Sequence, residues 1–364
     1  MKRFAALIAS AALVLSGYSS NVQVFAAAAD SETDENIWET VEDAYVYAFP
    51  LVLMDATETS ATNTEEVVTK KAPVNQFIHS VALANAQFRN VVTPNVDTIY
   101  SQVWYDLSEE PMVYELPETD RFCKVLSMDP ITFFNKANEL MVKNSPAAAD
   151  KEMLEKIAAV NIGPGMEFDT SVLTGDVAEN WKTMLTEIQL KLIKEDQKFS
   201  KKLGQWDYFG EPIGDFNTEY AYRALVALAG LGANTVEVAL YPKIEQDADG
   251  NTLTGEKSYI LHFESYPQVL EGGFWSVTAY GDDDFLIDNP INRYCINDRS
   301  GLQANDDGSV DVILSEDAPQ NTINWLPVGA GGFHLFMRIY TPDMDALETW
   351  MAPTITEIYP SNVN

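Results

Sequence analysis

The sequence predicts an α+β protein with antiparallel β-sandwich-like parts and a helical unit between them in sequence. Two observations lead to this prediction. Apolar residues recur at helical spacing between residues 131 and 235. On both sides of that segment, short β-prone runs are separated by prolines and by tight-turn dipeptides. The expected division is therefore 30–130 for a helix plus strands, 131–235 for the helical segment and 236–364 for a β-sandwich-like domain.

Residues 1–29 are expected to form a signal peptide that is removed from the folded protein. Two basic residues precede an apolar run from Phe4 to Leu15, which is too short to span a bilayer. Leu15-Ser16-Gly17 is similar to the front of a lipoprotein cleavage site, but Tyr18 stands where the lipidated cysteine would be. We favour cleavage after Val24-Phe25-Ala26 over an uncleaved anchor. The chain is then an exported protein, periplasmic or extracellular, with no stable membrane insertion after processing.

The predicted helices follow from the spacing of apolar residues. Residues 36–48 have an apolar helical face, whereas residues 57–71 are polar and predict a loop. The middle segment predicts four further helices, at Thr132–Lys143, Asp150–Val160, Val177–Phe199 and Glu219–Leu231.

After residue 236 the pattern changes to that of strands. The predicted strands are Tyr259–Glu264, Phe274–Tyr280, Val310–Leu314 and Phe333–Tyr340, and tight turns are predicted at Asp249-Gly250 and Asp307-Gly308. In the last strand, alternation places Phe333, Leu335, Met337 and Ile339 on one face and His334, Phe336, Arg338 and Tyr340 on the other. We expect the first face to pack a core and the second to line a pocket. His334 and Arg338 are therefore ligand-binding candidates.

The charge excludes some classes of partner. With 55 acidic and 23 basic residues, the net charge is −32. The signal peptide contains two cations and no acidic residue, so its removal makes the charge more negative. Nucleic acid and anionic lipid are excluded, because phosphate binding needs a cationic surface. A small molecule is the expected ligand, and the cofactor and the oligomeric state stay unknown.

No metal site is predicted. Cys123 and Cys295 are too few for a thiolate site, and two separate buried thiols are favoured over a disulfide. A three-histidine site would need every histidine in the chain. The stretch Asp247-x-Asp249-Gly250-Asn251 begins like a calcium loop but lacks the later glycine and glutamate, so a hairpin turn is favoured.

Pro94-Asn95-Val96-Asp97-Thr98-Ile99-Tyr100 is the first candidate site. One interpretation is structural, in which Asn95 and Asp97 organise a turn through bonds to nearby backbone. The other makes Asp97 a catalytic general base or a ligand-binding carboxylate, with Tyr100 as a catalytic donor and Asn95 as a ligand-binding amide.

Residues 289–299 are the second candidate site, with two arginines, one aspartate and three asparagines in eleven positions. Such a density of planar hydrogen-bonding groups predicts a polar pocket or a buried network. Arg293, Asp298 and Arg299 either form a buried ion-pair network or leave one arginine free for a carboxylate or phosphate. Asn324 and Trp325 are predicted to join this site, with the indole as core or as a platform for a sugar ring.

Several of these motifs, in this order, resemble a bacterial family of two paired domains of unknown function, numbered 1254 at the N-terminal end and 1214 at the C-terminal end. The N-terminal resemblance is carried by Tyr45–Pro50, Pro94–Tyr100 and Trp104–Leu107. The C-terminal resemblance is carried by Phe274–Thr278, Asn289–Arg299, Asp307–Ser309, Asn324–Pro327 and Arg338–Tyr340.

The resemblance implies an exported bacterial protein with a helical part and a β-sandwich-like C-terminal part, and it implies no settled activity. This chain departs from its relatives in two respects. Relatives have an additional stretch between the regions matching Val125–Pro130 and Thr132, and a small polar residue is common where Cys295 stands.

Two hypotheses of function follow. In the first, an envelope protein binds an anionic or carbohydrate-like substrate in a polar cleft and hydrolyses it. Asp97 then activates water, and Arg293 or Arg299 holds the anionic group. In the second, the same residues form a non-catalytic carbohydrate- or anion-binding module. A purely structural alternative locks loops through a buried ion-pair network, and it predicts severe destabilisation by Asp298→Ala.

Overall fold

A computed structural model of the 364-residue chain describes residues 32–68, 71–80, 82–89, 92–104, 125–194 and 196–358. The predicted signal peptide and Cys123 lie outside these ranges. The fold is α+β, as predicted. Of the helices in the described ranges, none has the length and apolar character needed to cross a bilayer.

Most of the helices surround one apolar core, whereas the last helix packs on the sheets. They are α1 Glu32–Thr62, α2 Pro130–Lys143, α3 Lys151–Ile157, α4 Gly175–Glu179, α5 Met184–Lys194, α6 Asp196–Phe199, α7 Tyr220–Gly230 and α8 Met344–Leu347. The first helix packs on α2, α3, α5 and α7. Fully buried Phe49, Phe133 and Leu225 show that α1 shares this core with the helical segment.

Two helix predictions differ from the structure. The predicted loop at 57–71 is helical as far as Thr62, because Thr57 and Ala61 are buried on this last part of the helix, with the Thr57 hydroxyl donating to the carbonyl of Leu53. The predicted helix Val177–Phe199 is broken after α4, where the Asn180 amide donates to the carbonyl of Asp176. Such local bonds compete with the regular helix.

The strands form three sheets. Their bounds are β1 Ile78–His79, β2 Ser101–Gln102, β3 Ser200–Leu203, β4 Trp206–Phe209, β5 Ala239–Leu240, β6 Lys243–Ile244, β7 Ser258–Phe263, β8 Val269–Gly281, β9 Cys295–Asn297, β10 Val310–Ser315, β11 Trp325–Pro327, β12 Phe333–Pro342 and β13 Thr354–Ile358. One sheet is the short β1–β2 pair. A seven-stranded sheet has the order β3-β4-β6-β12-β8-β9, with β5 also on β12, and a four-stranded sheet has the order β11-β10-β7-β13. The named pairings are antiparallel except for β10–β11, which is parallel.

The two larger sheets pack face to face and confirm a β-sandwich-like part. Leu261 and Phe263 of β7 share a fully buried core with Val277 of β8 and Leu335 of β12. The four strands predicted after residue 236 are confirmed within about two residues at most ends, although β8 begins earlier, at Val269. The described residues before α2 contribute one sheet, the β1–β2 pair.

Alternation along β12 positions the candidate site. Phe333, Leu335, Met337 and Ile339 are all in the sandwich core, as predicted. The opposite face of β12 is covered by residues 92–100, called here the covering loop, and by the turn at residues 282–285. The Asn95 amide contacts the Tyr340 hydroxyl, and Asp284 contacts His334.

Candidate functional site

Seven polar or reactive side chains meet where the covering loop lies on β8, β9 and β12. We call this group the loop–sheet site, and its members are Asn95, Asp97, Tyr100, Ser276, Cys295, Arg338 and Tyr340. Four of them, Asn95, Asp97, Tyr100 and Arg338, are candidates from the sequence. The structure thus brings the first candidate stretch onto the polar face of the last long strand.

Asn95 organises the covering loop and also contacts the site. Its Oδ1 accepts a hydrogen bond from the main-chain N–H of Asp97 at 2.7 Å, which is the predicted turn interaction. Its Nδ2 lies 2.6 Å from the Tyr100 hydroxyl, 3.0 Å from the Tyr340 hydroxyl and 3.0 Å from the Thr98 hydroxyl. The amide has two N–H groups for these three oxygens and it only donates, so a phenol oxygen can only accept in this contact. The hydrogens of the Tyr100 and Tyr340 hydroxyls are therefore left to donate elsewhere.

Asp97 is a half-buried carboxylate with two donors on it. The Ser276 hydroxyl donates to Oδ2 at 2.6 Å, and the Cys295 sulfur lies 3.8 Å from Oδ1. Ser276 is fully buried, whereas Cys295 is partly exposed. Burial, and then the charge of Asp97, raises the pKa of the Cys295 thiol to about 12. The thiol therefore stays protonated and acts as a weak donor to the carboxylate.

Arg338 places a positive charge beneath the covering loop and is only 5% exposed. Its guanidinium donates to the Tyr280 hydroxyl at 2.9 Å, the Thr93 carbonyl at 3.0 Å and the Thr278 hydroxyl at 3.2 Å. These partners are neutral, and the acidic group that acts on Arg338 through space is Asp97. Burial raises the pKa of Tyr340 above its usual range, so this phenol stays a neutral donor beside the cation.

An aromatic stack connects the loop–sheet site to an exposed arginine. Tyr340 stacks on Phe274 with ring centroids 4.3 Å apart, and the Arg299 guanidinium lies 4.7 Å from the centre of the Phe274 ring. Arg299 also lies 3.7 Å from a carboxylate oxygen of Asp298, and these side chains are 57% and 37% exposed, respectively. The predicted buried network of Asp298 and the arginines is therefore wrong, because this ion pair is open to solvent.

Asp298→Ala is accordingly expected to change the free energy of unfolding by less than about 1 kcal/mol, because exposed ion pairs contribute little. Urea unfolding followed by circular dichroism measures this change, with the exposed Asp306→Ala as the control. A loss of several kcal/mol at Asp298 alone would restore the buried-network hypothesis.

Three of the sequence candidates hold loops away from the loop–sheet site. Arg293 Nη1 donates to the carbonyls of Thr322, Ile323 and Trp325 at 2.6, 3.1 and 2.8 Å. The Asn324 amide donates to the carbonyls of Gln303 and Asp311 and accepts from the Gln303 N–H. Trp325 is 3% exposed, and its indole donates to the Ser315 carbonyl. The sequence hypotheses of Arg293 as an anion holder and Trp325 as a sugar platform find no support in these contacts.

His334 belongs to a separate group at the other end of β12. Its other members are the buried Asp284 and Lys243 and the partly exposed Glu245. His334 Nε2 lies 3.3 Å from Asp284 Oδ1, and Lys243 Nζ lies 2.6 Å from Glu245 Oε1. Burial lowers the pKa of His334 well below its usual value and raises that of Asp284 to about 6. A run of three aspartates such as Asp282–Asp284 is typical of a solvated turn, but Asp284 is 1% exposed, because the turn, with φ of +59° at this residue, directs its side chain toward His334.

Sequence reasoning missed Ser276, Lys243 and Asp284. Ser276 had a usable signal, because it alternates with the buried Trp275 and Val277 in a strand that was predicted. The described residues contain no cluster of three or more histidine, cysteine, aspartate or glutamate side chains able to hold a metal ion. A water-sized cavity of about 10 Å³ lies elsewhere, between the end of α1 and the β1–β2 pair. Three members of the loop–sheet site are half-buried and carry a carboxylate or a phenol, namely Asp97, Tyr100 and Tyr340.

Comparison with solved structures gives one informative similarity. The crystal structure of the VPA0106 protein from Vibrio parahaemolyticus is similar over 88% of this chain and 100% of that chain, with 18% identity and a TM-score of 0.56. This similarity shows the fold alone. An uncharacterized protein from Burkholderia cenocepacia is similar over 52% of this chain and 44% of that one, with 15% identity and a TM-score of 0.29, which is too low to support an argument.

The search of curated proteins gives no match. Two family models do match, and both are described as proteins of unknown function. The model DUF1254 matches residues 74–166, and the model DUF1214 matches residues 238–344. Together these ranges cover more than half of the chain, in the order that the motifs indicated. The chain therefore belongs to the family in which a domain of unknown function 1254 is followed by a domain of unknown function 1214.

Proposed function

We propose that this protein, after export to the periplasm or the cell exterior, binds a small anionic or carbohydrate-like molecule at the loop–sheet site. The observation that carries the proposal is the convergence of two phenol hydroxyls on one amide beside a buried cation. Tyr100 and Tyr340 both accept from Asn95, and Arg338 lies beneath them.

The hydroxyl hydrogens favour a ligand that is rich in acceptors. Since the amide of Asn95 supplies a donor to each phenol, the remaining hydrogen of Tyr100 and of Tyr340 needs an acceptor. Carboxylate, phosphate and sugar hydroxyl oxygens all provide one. Both residues are half-buried, so they have access to solvent and can reach such a ligand.

The buried cation favours a ligand with negative charge. Arg338 is almost fully buried, yet its described hydrogen bonds go to a carbonyl and two hydroxyls rather than to a carboxylate. Asp97 acts on this cation only through space, so an anionic ligand group that lies closer supplies a further counterion and lowers the free energy of the site. Arg338 thus takes the role that the sequence hypothesis gave to Arg293 or Arg299.

The contacts of Asp97 favour binding over hydrolysis. Ser276 donates to Oδ2 and is fully buried, so its hydroxyl is closed off from a substrate. A hydrolase remains the second candidate function, because the half-buried Asp97 carboxylate also suits a general base that activates water. Tyr100 lies five residues after Asn95, and its hydroxyl contacts the Asn95 amide. In a hydrolase, Tyr100 would donate a hydrogen bond to the substrate.

The first experiment is a thermal-shift screen of the mature protein, residues 30–364, against organic acids, sugar phosphates and neutral sugars, followed by calorimetry. A ligand that binds the native state raises the melting temperature. We expect Tyr100→Phe and Tyr340→Phe each to weaken binding about tenfold, because each removes one hydrogen bond to a charged acceptor.

Tyr208→Phe, on β4 and away from the site, is the matched control and should bind as the wild type does. Unchanged affinity in both site variants, or no shift from any ligand class, would contradict the proposal. Asp97→Asn separates the two candidate functions: lost turnover with retained binding supports the hydrolase, whereas ligands that bind without turnover support the binding module.

A further inference from the structure

The turn at residues 282–285 fastens the covering loop to the sheet. The main-chain N–H of Thr93 donates to the carbonyl of Asp284 at 2.6 Å. A second contact joins the preceding segment to the same turn, because Arg89 lies 2.6 Å from Asp283 and 4.6 Å from the centre of the Phe285 ring. The N-terminal segment therefore meets this turn at two places.

The joint between the loop and the turn has an unfavourable backbone conformation. Thr93 has φ of +47°, and Asp284 has φ of +59°. A left-handed conformation is rare for a β-branched residue such as threonine, so it persists only where surrounding contacts impose it. Those contacts come from Arg338 to the Thr93 carbonyl at 3.0 Å and from the Tyr280 hydroxyl to the Pro94 carbonyl at 2.8 Å, besides Asp284 itself.

The side chain of Asp284 has a poor environment for a charge. Within the described chain, neither carboxylate oxygen has a hydrogen-bond partner, and the nearby His334 Nε2 is not aligned for one. The other charged groups that face it are Lys243 of β6, the following Glu245, and Asp282 and Asp283 of its own turn. Burial raises the pKa of Asp284 to about 6, and no protonated histidine compensates, since burial lowers the pKa of His334. Ionisation therefore favours movement of this side chain toward water.

We propose that protonation of Asp284 controls the closure of the covering loop over the loop–sheet site. Neutral Asp284 stays seated against His334 and keeps its carbonyl on the Thr93 N–H. Ionised Asp284 draws the turn toward solvent and weakens that hydrogen bond, which loosens the loop that carries Asn95, Asp97 and Tyr100. The loop is then closed below about pH 6 and loosened above it. The consequence for ligand affinity rests on the proposed function, whereas the loop motion itself does not.

Hydrogen exchange of residues 92–100 in the ligand-free mature protein tests this inference. Exchange is measured by mass spectrometry between pH 5 and pH 8 and corrected for the intrinsic rate. In the wild type, we expect protection to fall at least about tenfold across this range, with a midpoint near pH 6. Asp284→Asn should lack this fall in protection as the pH rises. Asp306→Asn, a change at an exposed aspartate outside the turn, should leave the wild-type profile unchanged.

Protection of 92–100 that does not change with pH in the wild type would overturn the inference, whatever the variants do. An identical pH profile in Asp284→Asn and the wild type would also overturn it. A pH-dependent loop in a protein that binds none of the screened ligands would support this inference and contradict the proposed function. Ligand binding with a pH-independent loop would do the reverse.

Discussion

Arg338→Met is expected to lower the free energy of unfolding by about 3 kcal/mol or more, because it removes a buried charge that organises several groups. The Thr93 carbonyl and the Tyr280 hydroxyl lose their donor, and Asp97 loses the cation that acts on it. Urea unfolding followed by circular dichroism measures the loss.

Arg299→Met is the matched control for this change. It removes a cation of the same type from the exposed end of the aromatic stack and should cost less than about 1 kcal/mol. Arg338→Lys keeps the charge but not the planar fork, so we expect most of the loss to remain. If Arg338→Met and Arg299→Met had equal, small effects, the covering loop would not depend on this residue.

Asp284 and His334 form a buried pair. We expect the loss of Asp284 and the loss of His334 to change the pH dependence of the free energy of unfolding in opposite directions. Asp284 has its pKa raised from 3.8 to about 6, so its contribution to stability is present at low pH and is lost as the pH rises through about 6. His334 has its pKa lowered from 6.5, so its contribution is present at high pH and is lost as the pH falls below 6.5. In the wild type these two effects largely cancel between about pH 5 and pH 7.

His334→Gln should therefore gain stability as the pH falls from about 6 towards 3.8, by up to roughly 3 kcal/mol, because Asp284 then titrates alone. Asp284→Asn should instead lose stability as the pH falls below 6.5, because His334 then titrates alone. Urea midpoints at a series of pH values measure both slopes. Asp306→Asn, at an exposed position outside this turn, is the control and should follow the wild type. Parallel slopes in the two variants would contradict the buried pair.

Much of the fold was predictable because alternation and helical spacing reflect burial directly. The two faces of β12 were assigned from period two alone, and the structure confirms the core face. The break after α4 was not predictable from apolar spacing, because a local amide bond at Asn180 decides it. Nor was the packing of α1 with the middle helices, which depends on contacts between segments that are distant in sequence.

The candidate site was predictable only in part. Asn95, Asp97, Tyr100 and Arg338 do meet, but a density of planar polar groups cannot distinguish a ligand site from a clamp on the main chain. Arg293 is such a clamp, since three carbonyls occupy its Nη1. Asp284 was hidden for a different reason: a run of three aspartates is usually solvated, and only the left-handed turn buries the third.

The position of Cys295 has a consequence for redox chemistry. Oxidation and disulfide exchange proceed through the thiolate, and a thiol whose pKa is about 12 is almost entirely protonated at neutral pH. The carboxylate of Asp97 that holds this sulfur also opposes its ionisation. In an oxidising compartment, Cys295 therefore resists conversion to sulfenic acid or to a mixed disulfide for as long as it stays buried beside Asp97.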